Sequence, residues 1–271
     1  MLTVLGCLRY PVKSAAGETV RRLSVNERGV LGDRRWAVMD ADGTVVSAKH
    51  PSRGGRLLQV SASHEDATGE VTVRVPGGRD LRAGDPEAGT VLSEWLGRPV
   101  SLTDEVPDSL RLHRLWPREP GMLPDWAADA RPDQDTITEV AGARAGTFVD
   151  YGAVHLITTG ALRALEGQRS GPVPPLRFRP NLILDLPADP EPGQVLHIGE
   201  VTLRIDLPTP RCIMPSLSQP GGVDVDTELL GVLARHHRHP VAGLGRAAVF
   251  GRYASVECAG EIDVGARVRV G

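Results

Sequence analysis

The sequence predicts a β-rich α+β chain, a barrel-like β core with a few covering helices, built in two consecutive parts. Three observations lead there. Short runs rich in Val, Ile, Leu and Thr recur between Gly, Pro and Asp turn signals, the pattern of strands. Helical windows are few, near Thr90, Thr159 and Asp226. Strands and helices do not alternate through glycine-rich crossovers, which disfavours a doubly wound parallel sheet.

The elements follow in order. Thr3-Val-Leu opens a first strand. Trp36-Ala-Val-Met and Thr44-Val-Val-Ser flank Asp40-Ala-Asp-Gly, a hairpin signal in which Gly43 can take positive φ. Leu57-Leu-Gln-Val-Ser and Val71-Thr-Val-Arg-Val continue as strands, and Thr90-Val-Leu-Ser-Glu-Trp-Leu is a helix closed by Gly97. From about Asp104 to Ala143, Pro107, Pro117, Pro120, Pro124 and Pro132 punctuate a long irregular connection with Trp116 and Trp126 as isolated anchors. The domain boundary is expected within 104–143, dividing the chain into 1–125 and 126–271. Beyond it, Val154-His-Leu-Ile-Thr is a strand running into a helix with Thr158 or Thr159 as cap. Asn181-Leu-Ile-Leu, Val195-Leu-His-Ile, Val201-Thr-Leu-Arg-Ile, Val249-Phe-Gly-Arg-Tyr and Ala266-Arg-Val-Arg-Val are further strands, and Asp226 caps a last helix.

Composition narrows the function. Hydrophobic residues are 41% and charged residues 24% of 271, the balance of a globular protein. The net charge of −3 gives no basic field for nucleic acid or anionic membrane. No apolar run approaches the roughly 20 residues that span a bilayer, and the first residues are too short and too poor in basic residues for a secretory signal. Cys7, Cys212 and Cys258 are odd in number and lack C-x-x-C spacing, so neither a disulfide framework nor a structural zinc site fits. A reducing cytoplasm is the expected compartment.

Cys212, in Pro208-Thr-Pro-Arg-Cys-Ile-Met-Pro, is the strongest chemical candidate. It follows a strand on a proline-stiffened loop, and Arg211 beside it favours the thiolate, the form that ligates soft metals or attacks electrophiles. The plain alternative is a buried inert thiol, which is the expectation for Cys7 and Cys258. In Tyr10-Pro-Val-Lys-Ser, Lys13 and Ser14 set a cation beside a hydroxyl on a turn, which suits an oxyanion. Lys13 and Lys49 are the only lysines in a chain that otherwise uses Arg, which makes Lys13 informative. In Gly32-Asp-Arg-Arg-Trp, alternation sends Arg34 and Arg35 to opposite faces, with an ion pair to Asp33 as the competing reading. Arg179 and Asn181, two apart at a strand start, offer a fork for phosphate and an amide for the edge of a heterocycle. His236, His237 and His239 near Asp224 and Asp226 look metal-like, but cations at a helix end are the simpler reading.

Taken together, Tyr-Pro-Val-Lys-Ser, Gly-Asp-Arg-Arg-Trp, Phe-Arg-Pro-Asn, Arg-Cys and Phe-Gly-Arg-Tyr, in this order and spacing, resemble the MOSC (molybdenum cofactor sulfurase C-terminal) family with its N-terminal MOSC β-barrel domain. The mitochondrial amidoxime-reducing component and its bacterial relatives share this arrangement. The resemblance implies a molybdenum cofactor, with molybdenum ligated by Cys212 and the pterin phosphate bound by Lys13 and Ser14. It implies Arg34, Arg179 and Asn181 as further cofactor contacts, with Arg211 beside the ligand and His155, Thr158, Thr159 and Tyr253 as secondary candidates. The implied function is an oxidoreductase acting on N-hydroxylated or related small substrates, with electrons from a separate ferredoxin- or cytochrome-type protein and its reductase. The alternative is a sulfur-carrier or cofactor-handling protein using Cys212 as persulfide or transfer thiol. Reducing relatives follow the Cys with Thr-Thr-Val-Asp-Pro-x-Thr-Gly, where this chain has Pro215-Ser-Leu-Ser-Gln-Pro-Gly-Gly and no acidic residue.

Overall fold

The computed structural model describes residues 2–140 and 146–271. Its largest element is a nine-stranded sheet. From one edge the strands run Val268–Val270, Val195–Ile198, Val201–Pro210, Gly245–Cys258, Val154–Thr158, Leu182–Leu184, Val4–Arg9 and Glu18–Val20, and Arg238–Val241 pairs with the long strand Gly245–Cys258. The chain is thus a β-rich α+β protein, as the short β-prone runs predict. Alternation explains the long strands: along Val201–Pro210 every second residue from Val201 to Thr209 is buried. Leu156, Leu182, Leu196, Leu203 and Ile205 meet Cys7 and Leu23 in one core.

Strand Val154–Thr158 and strand Leu182–Leu184 are parallel, joined through helix Thr159–Glu166. This is one β-α-β crossover in a sheet whose other pairings are antiparallel. Strand Val4–Arg9, from the start of the chain, pairs antiparallel with Leu182–Leu184, setting Cys7 opposite Leu182. Leu8 N–H donates to Asn181 O at 2.8 Å, and Asn181 N–H to His155 O at 2.7 Å. This register brings the residues after Arg9 alongside His155 and Asn181.

A second core lies within the first hundred residues, where Val38, Leu57, Val73 and Leu81 pack against Leu92 of helix Pro86–Leu96. Gly97 closes that helix at φ 69°, in the left-handed conformation expected of a C-terminal cap.

Three local expectations differ from the structure. Leu57 and Leu58 lie in a 3₁₀ turn over Gly55–Gln59, and the strand starts only at Ser61–His64, because two adjacent buried leucines cannot both face inward in an alternating strand. Thr44-Val-Val-Ser makes only single bridges, Val45 to Met39 and to Leu112, and strand Ala37–Asp40 pairs instead with Val100–Thr103. The proline-punctuated connection contains an antiparallel pair, Arg111–Leu115 with Asp135–Glu139.

Candidate functional site

The site starts from two turns at the end of the sheet. Tyr10 O accepts from Arg34 N–H at 2.7 Å and Pro11 O from Trp36 N–H at 3.0 Å, so the Tyr-Pro-Val-Lys-Ser turn is zipped to the Gly-Asp-Arg-Arg-Trp turn. Asp33, buried, accepts from Tyr10 N–H at 2.8 Å and pairs with the Arg34 guanidinium. The ion pair and the pocket are therefore compatible roles for Arg34, while Arg35 faces outward to Asp104.

A cavity of about 340 Å³ opens here. Lys13, Ser14 and Arg34 line it from the first part of the chain; His155, Arg179 and Asn181 line it from the second. Arg211, Cys212 and Tyr253 complete the sequence candidates that it gathers. Groups separated by well over a hundred positions converge on one concavity.

Thr158 and Thr159 do not line it. Thr158 is fully buried, donates to Asp189 at 2.8 Å and caps its helix by accepting from Ala161 N–H at 3.1 Å. Thr159 donates to Asp185 at 3.0 Å. Their hydroxyls are committed to the helix start, so these two sequence candidates stand apart from the cavity that gathers the others. Asn181 lines the cavity, but its amide ties strands together, accepting from His155 N–H at 3.0 Å and donating to Leu8 O at 3.3 Å. The Ser14 hydroxyl accepts from Ala48 N–H at 3.1 Å and so holds the turn that carries Lys49.

Backbone strain concentrates at this site. Among the described residues only four non-glycines have positive φ, and three of them, Ser14 at 65°, Arg34 at 46° and Arg179 at 54°, line the cavity. Each costs on the order of 1–2 kcal/mol and persists only where surrounding contacts enforce it. Arg179 O shows such contacts, accepting from Arg34 Nη2 at 3.3 Å and lying 3.2 Å from His155 Nδ1.

The electrostatics are lopsided. Lys13 Nζ donates to Phe148 O at 2.6 Å and to Asp150 Oδ1 at 2.7 Å; Lys49 Nζ lies 2.8 Å from the other oxygen of the same carboxylate. Burial lowers Lys13 to a pKa of about 8 against the pull of Asp150. Burial also acts to raise Asp150, but Lys13 and Lys49 overcome it and hold the carboxyl well below the usual range. Arg179 is lowered to about 10 by burial and then by Arg34, and burial likewise lowers Arg211 to about 10. Asp33, Asp150 and Glu139, which also lines the cavity, balance only part of this charge, so the cationic end favours an anion.

His155 is neutral. Burial, and then Arg211, hold it well below the ordinary histidine range. Arginine is only a donor, so the hydrogen bond between Arg211 Nη2 and His155 Nε2 leaves the proton on Nδ1, facing Arg179 O. Arg211 further donates to Phe178 O at 3.1 Å and to Phe250 O through Nε at 2.9 Å. Rather than turning wholly to the neighbouring thiol, it braces the loop. Cys212 is a free, half-buried thiol on that loop, whereas Cys7 is buried in the core with its pKa raised to about 12 by burial, and Cys258 is exposed. Gly251, between Phe250 and Tyr253, has φ 77°, and a Cβ there would lie 2.8 Å from His155 Nε2 and 2.6 Å from Leu156 O, so only glycine fits.

Three residues escaped the sequence reading. Lys49 carried a signal, being the second of only two lysines. Asp150 carried none by itself. Tyr10 lies in the motif: its buried ring sits under both cations, 4.6 Å from the Arg34 guanidinium carbon and 4.2 Å from that of Arg179.

The comparisons with known proteins agree with this architecture. Residues 1–95 match the MOSC N-terminal beta barrel domain and residues 143–269 the MOSC domain. The chain is 25% identical over 276 residues to mitochondrial amidoxime-reducing component 1 of Mus musculus, covering 94% of this chain and 78% of that one. The Homo sapiens protein of the same name is 26% identical over 288 residues, covering 94% and 79%. Molybdenum cofactor sulfurase of Oryza sativa is 27% identical over 263 residues, covering 84% of this chain but 30% of the sulfurase. No helix among the described residues is long and apolar enough to cross a membrane. The chain belongs to the MOSC-domain proteins and carries the MOSC N-terminal beta barrel domain ahead of its MOSC domain.

Proposed function

We propose that this chain is a molybdenum-cofactor-binding oxidoreductase that reduces N-hydroxylated or related small molecules with electrons from a separate donor protein. The observation that carries the reading is the convergence of a cationic end and a free thiol in one cavity. The residues fit such a group. Arg179 Nη2 is buried without a hydrogen-bond partner, a cost of about 1–3 kcal/mol that an anionic oxygen would remove. Lys13, Lys49, Arg34 and Arg179 would hold a phosphate tail, and the Cys212 thiolate would supply a soft metal ligand.

When bound, the cofactor supplies two-electron redox chemistry at the metal. The protein's own part is positioning. Tyr10 holds two guanidinium groups over one ring, and His155 orders Arg211 and the Arg179 carbonyl while remaining neutral. Both imidazole nitrogens are occupied, so His155 acts as a strut and carries no proton to substrate. In the overall reaction the N–O bond breaks, two electrons and two protons enter, and water leaves. The reduced product should appear when molybdenum-loaded protein receives an N-hydroxylated amidine and a chemical reductant. Absence of turnover, with sulfane sulfur on Cys212 of metal-free protein, would replace this reading with sulfur transfer.

A further inference from the structure

Residues 96–142 lie outside both family matches, yet part of this segment walls the cavity that holds Cys212. Leu115, Trp116, Pro117, Met122, Pro124 and Trp126 all line it. The wall is anchored on both sides. Leu115 N–H donates to Lys49 O at 2.9 Å, Arg238 donates to Leu123 O at 2.7 Å and to Asp125 at 2.7 Å, and Arg246 N–H donates to the other Asp125 oxygen at 2.7 Å. Met122 is buried in the core beneath helix Leu229–His236.

The chemistry of this wall is opposite to that of the cationic end. Trp116 is 6% exposed, and its indole Nε1 has no hydrogen-bond partner. The Arg114 guanidinium already lies over the Trp116 ring, 4.9 Å from its centroid, so the cation-π position at this ring is taken. Trp126 is 44% exposed, a large aromatic face left uncovered beside the cavity. Trp126 presents the open ring face, which an aliphatic guest would leave poorly covered, and the two charges that line this end, Arg114 and Glu139, are of opposite sign and favour neither a cation nor an anion.

We infer that the wall at 115–126 selects the substrate: a neutral, flat aromatic compound whose ring lies against the open face of Trp126, with buried Trp116 as the backing of the wall, while its small N–O group reaches toward Cys212. This rests on the oxidoreductase reading for the role of the N–O group, but the aromatic preference belongs to the wall itself. Trp126 is then the specificity-determining residue, and Trp116 backs it within the wall.

Calorimetric titration of protein purified from a molybdenum-replete host tests the inference, with molybdenum content measured on the same batch. The probes are benzaldehyde oxime, acetaldehyde oxime and the 4-trimethylammonio derivative of benzaldehyde oxime. The first should bind at least about tenfold more tightly than the other two, the size of a well-placed ring contact plus its buried area. Trp126→Ala, a half-exposed position safe for folding, should shrink that ratio severalfold, and Trp116→Phe should keep most of it. Equal binding of the oximes, tight binding of the cation, no binding of benzaldehyde oxime, or an unchanged ratio in Trp126→Ala would overturn the inference. Aromatic preference in protein without molybdenum supports the wall and sinks the oxidoreductase reading; molybdenum without the preference does the reverse.

Discussion

Lys13 donates to Asp150 at 2.7 Å across 137 positions of sequence, and the same carboxylate receives Lys49 on its second oxygen. One anion therefore holds two cations at the cavity wall. Asp150→Asn removes the charge and keeps the shape. Stability should fall by about 1–3 kcal/mol, because two buried or half-buried ammonium groups lose their counter-charge. Sulfate affinity of protein purified from a molybdenum-free host should rise about 3- to 10-fold, since the cavity gains net positive charge. Thermal unfolding with and without sulfate reads both; a fall in stability and in sulfate affinity together would make Asp150 merely structural.

Lys13 gives the site a pH dependence. Its folded pKa of about 8 lies below the ordinary lysine value of 10.5, so the unfolded chain binds more protons between them. The Lys13 contribution to stability therefore rises with pH across that window. Anion affinity moves the other way, full below pH 8 and lost as pH rises through it. Sulfate, doubly charged throughout, should bind about 3- to 10-fold more weakly at pH 9 than at pH 7. Calorimetry at pH 7, 8 and 9 checks this, and a flat profile in the wild type would remove Lys13 from the anion site.

Tyr10 separates ring from hydroxyl. Its ring lies under Arg34 and Arg179, while its buried hydroxyl has no partner, and burial raises its pKa to about 12. Tyr10→Phe should therefore be neutral or stabilising by about 1 kcal/mol, and sulfate binding should hold. Tyr10→Leu should weaken sulfate about 3- to 10-fold, because two cation-π contacts disappear and the guanidinium groups lose their platform. Equal sulfate affinity in Tyr10→Leu and the wild type would show that Tyr10 does not position them.

The sequence made the β-rich class and much of the cavity lining legible, for reasons visible at particular residues. Cys212 stood out through its prolines and Arg211, and Gly97 announced a helix end; the last helix starts at Leu229 with Glu228 in the cap position, and Asp226, expected there, lies two residues ahead and accepts from Leu229 N–H at 3.0 Å. What escaped depends on contacts between distant segments. Asp150 acquires meaning only when folding sets Lys13 and Lys49 on either oxygen. The positive φ of Ser14, Arg34 and Arg179 has no local signature, because side chains that tolerate it by tertiary enforcement look like any others. Thr158 and Thr159 stand outside the cavity for the converse reason: a position next to the site serves the helix start.

On the proposed function, Cys212 holds molybdenum in this cavity. Elemental analysis of wild type and Cys212→Ser, both purified from a molybdenum-replete host, tests it directly. About one molybdenum per chain is expected in the wild type and essentially none in the variant, because a serine hydroxyl is a poor donor to a soft metal. Unfolding temperatures measured without cofactor should match, since a half-buried loop thiol contributes little to the core. Stoichiometric molybdenum in Cys212→Ser would show that Cys212 is not the required ligand, and none in the wild type would show that the cavity does not hold the metal.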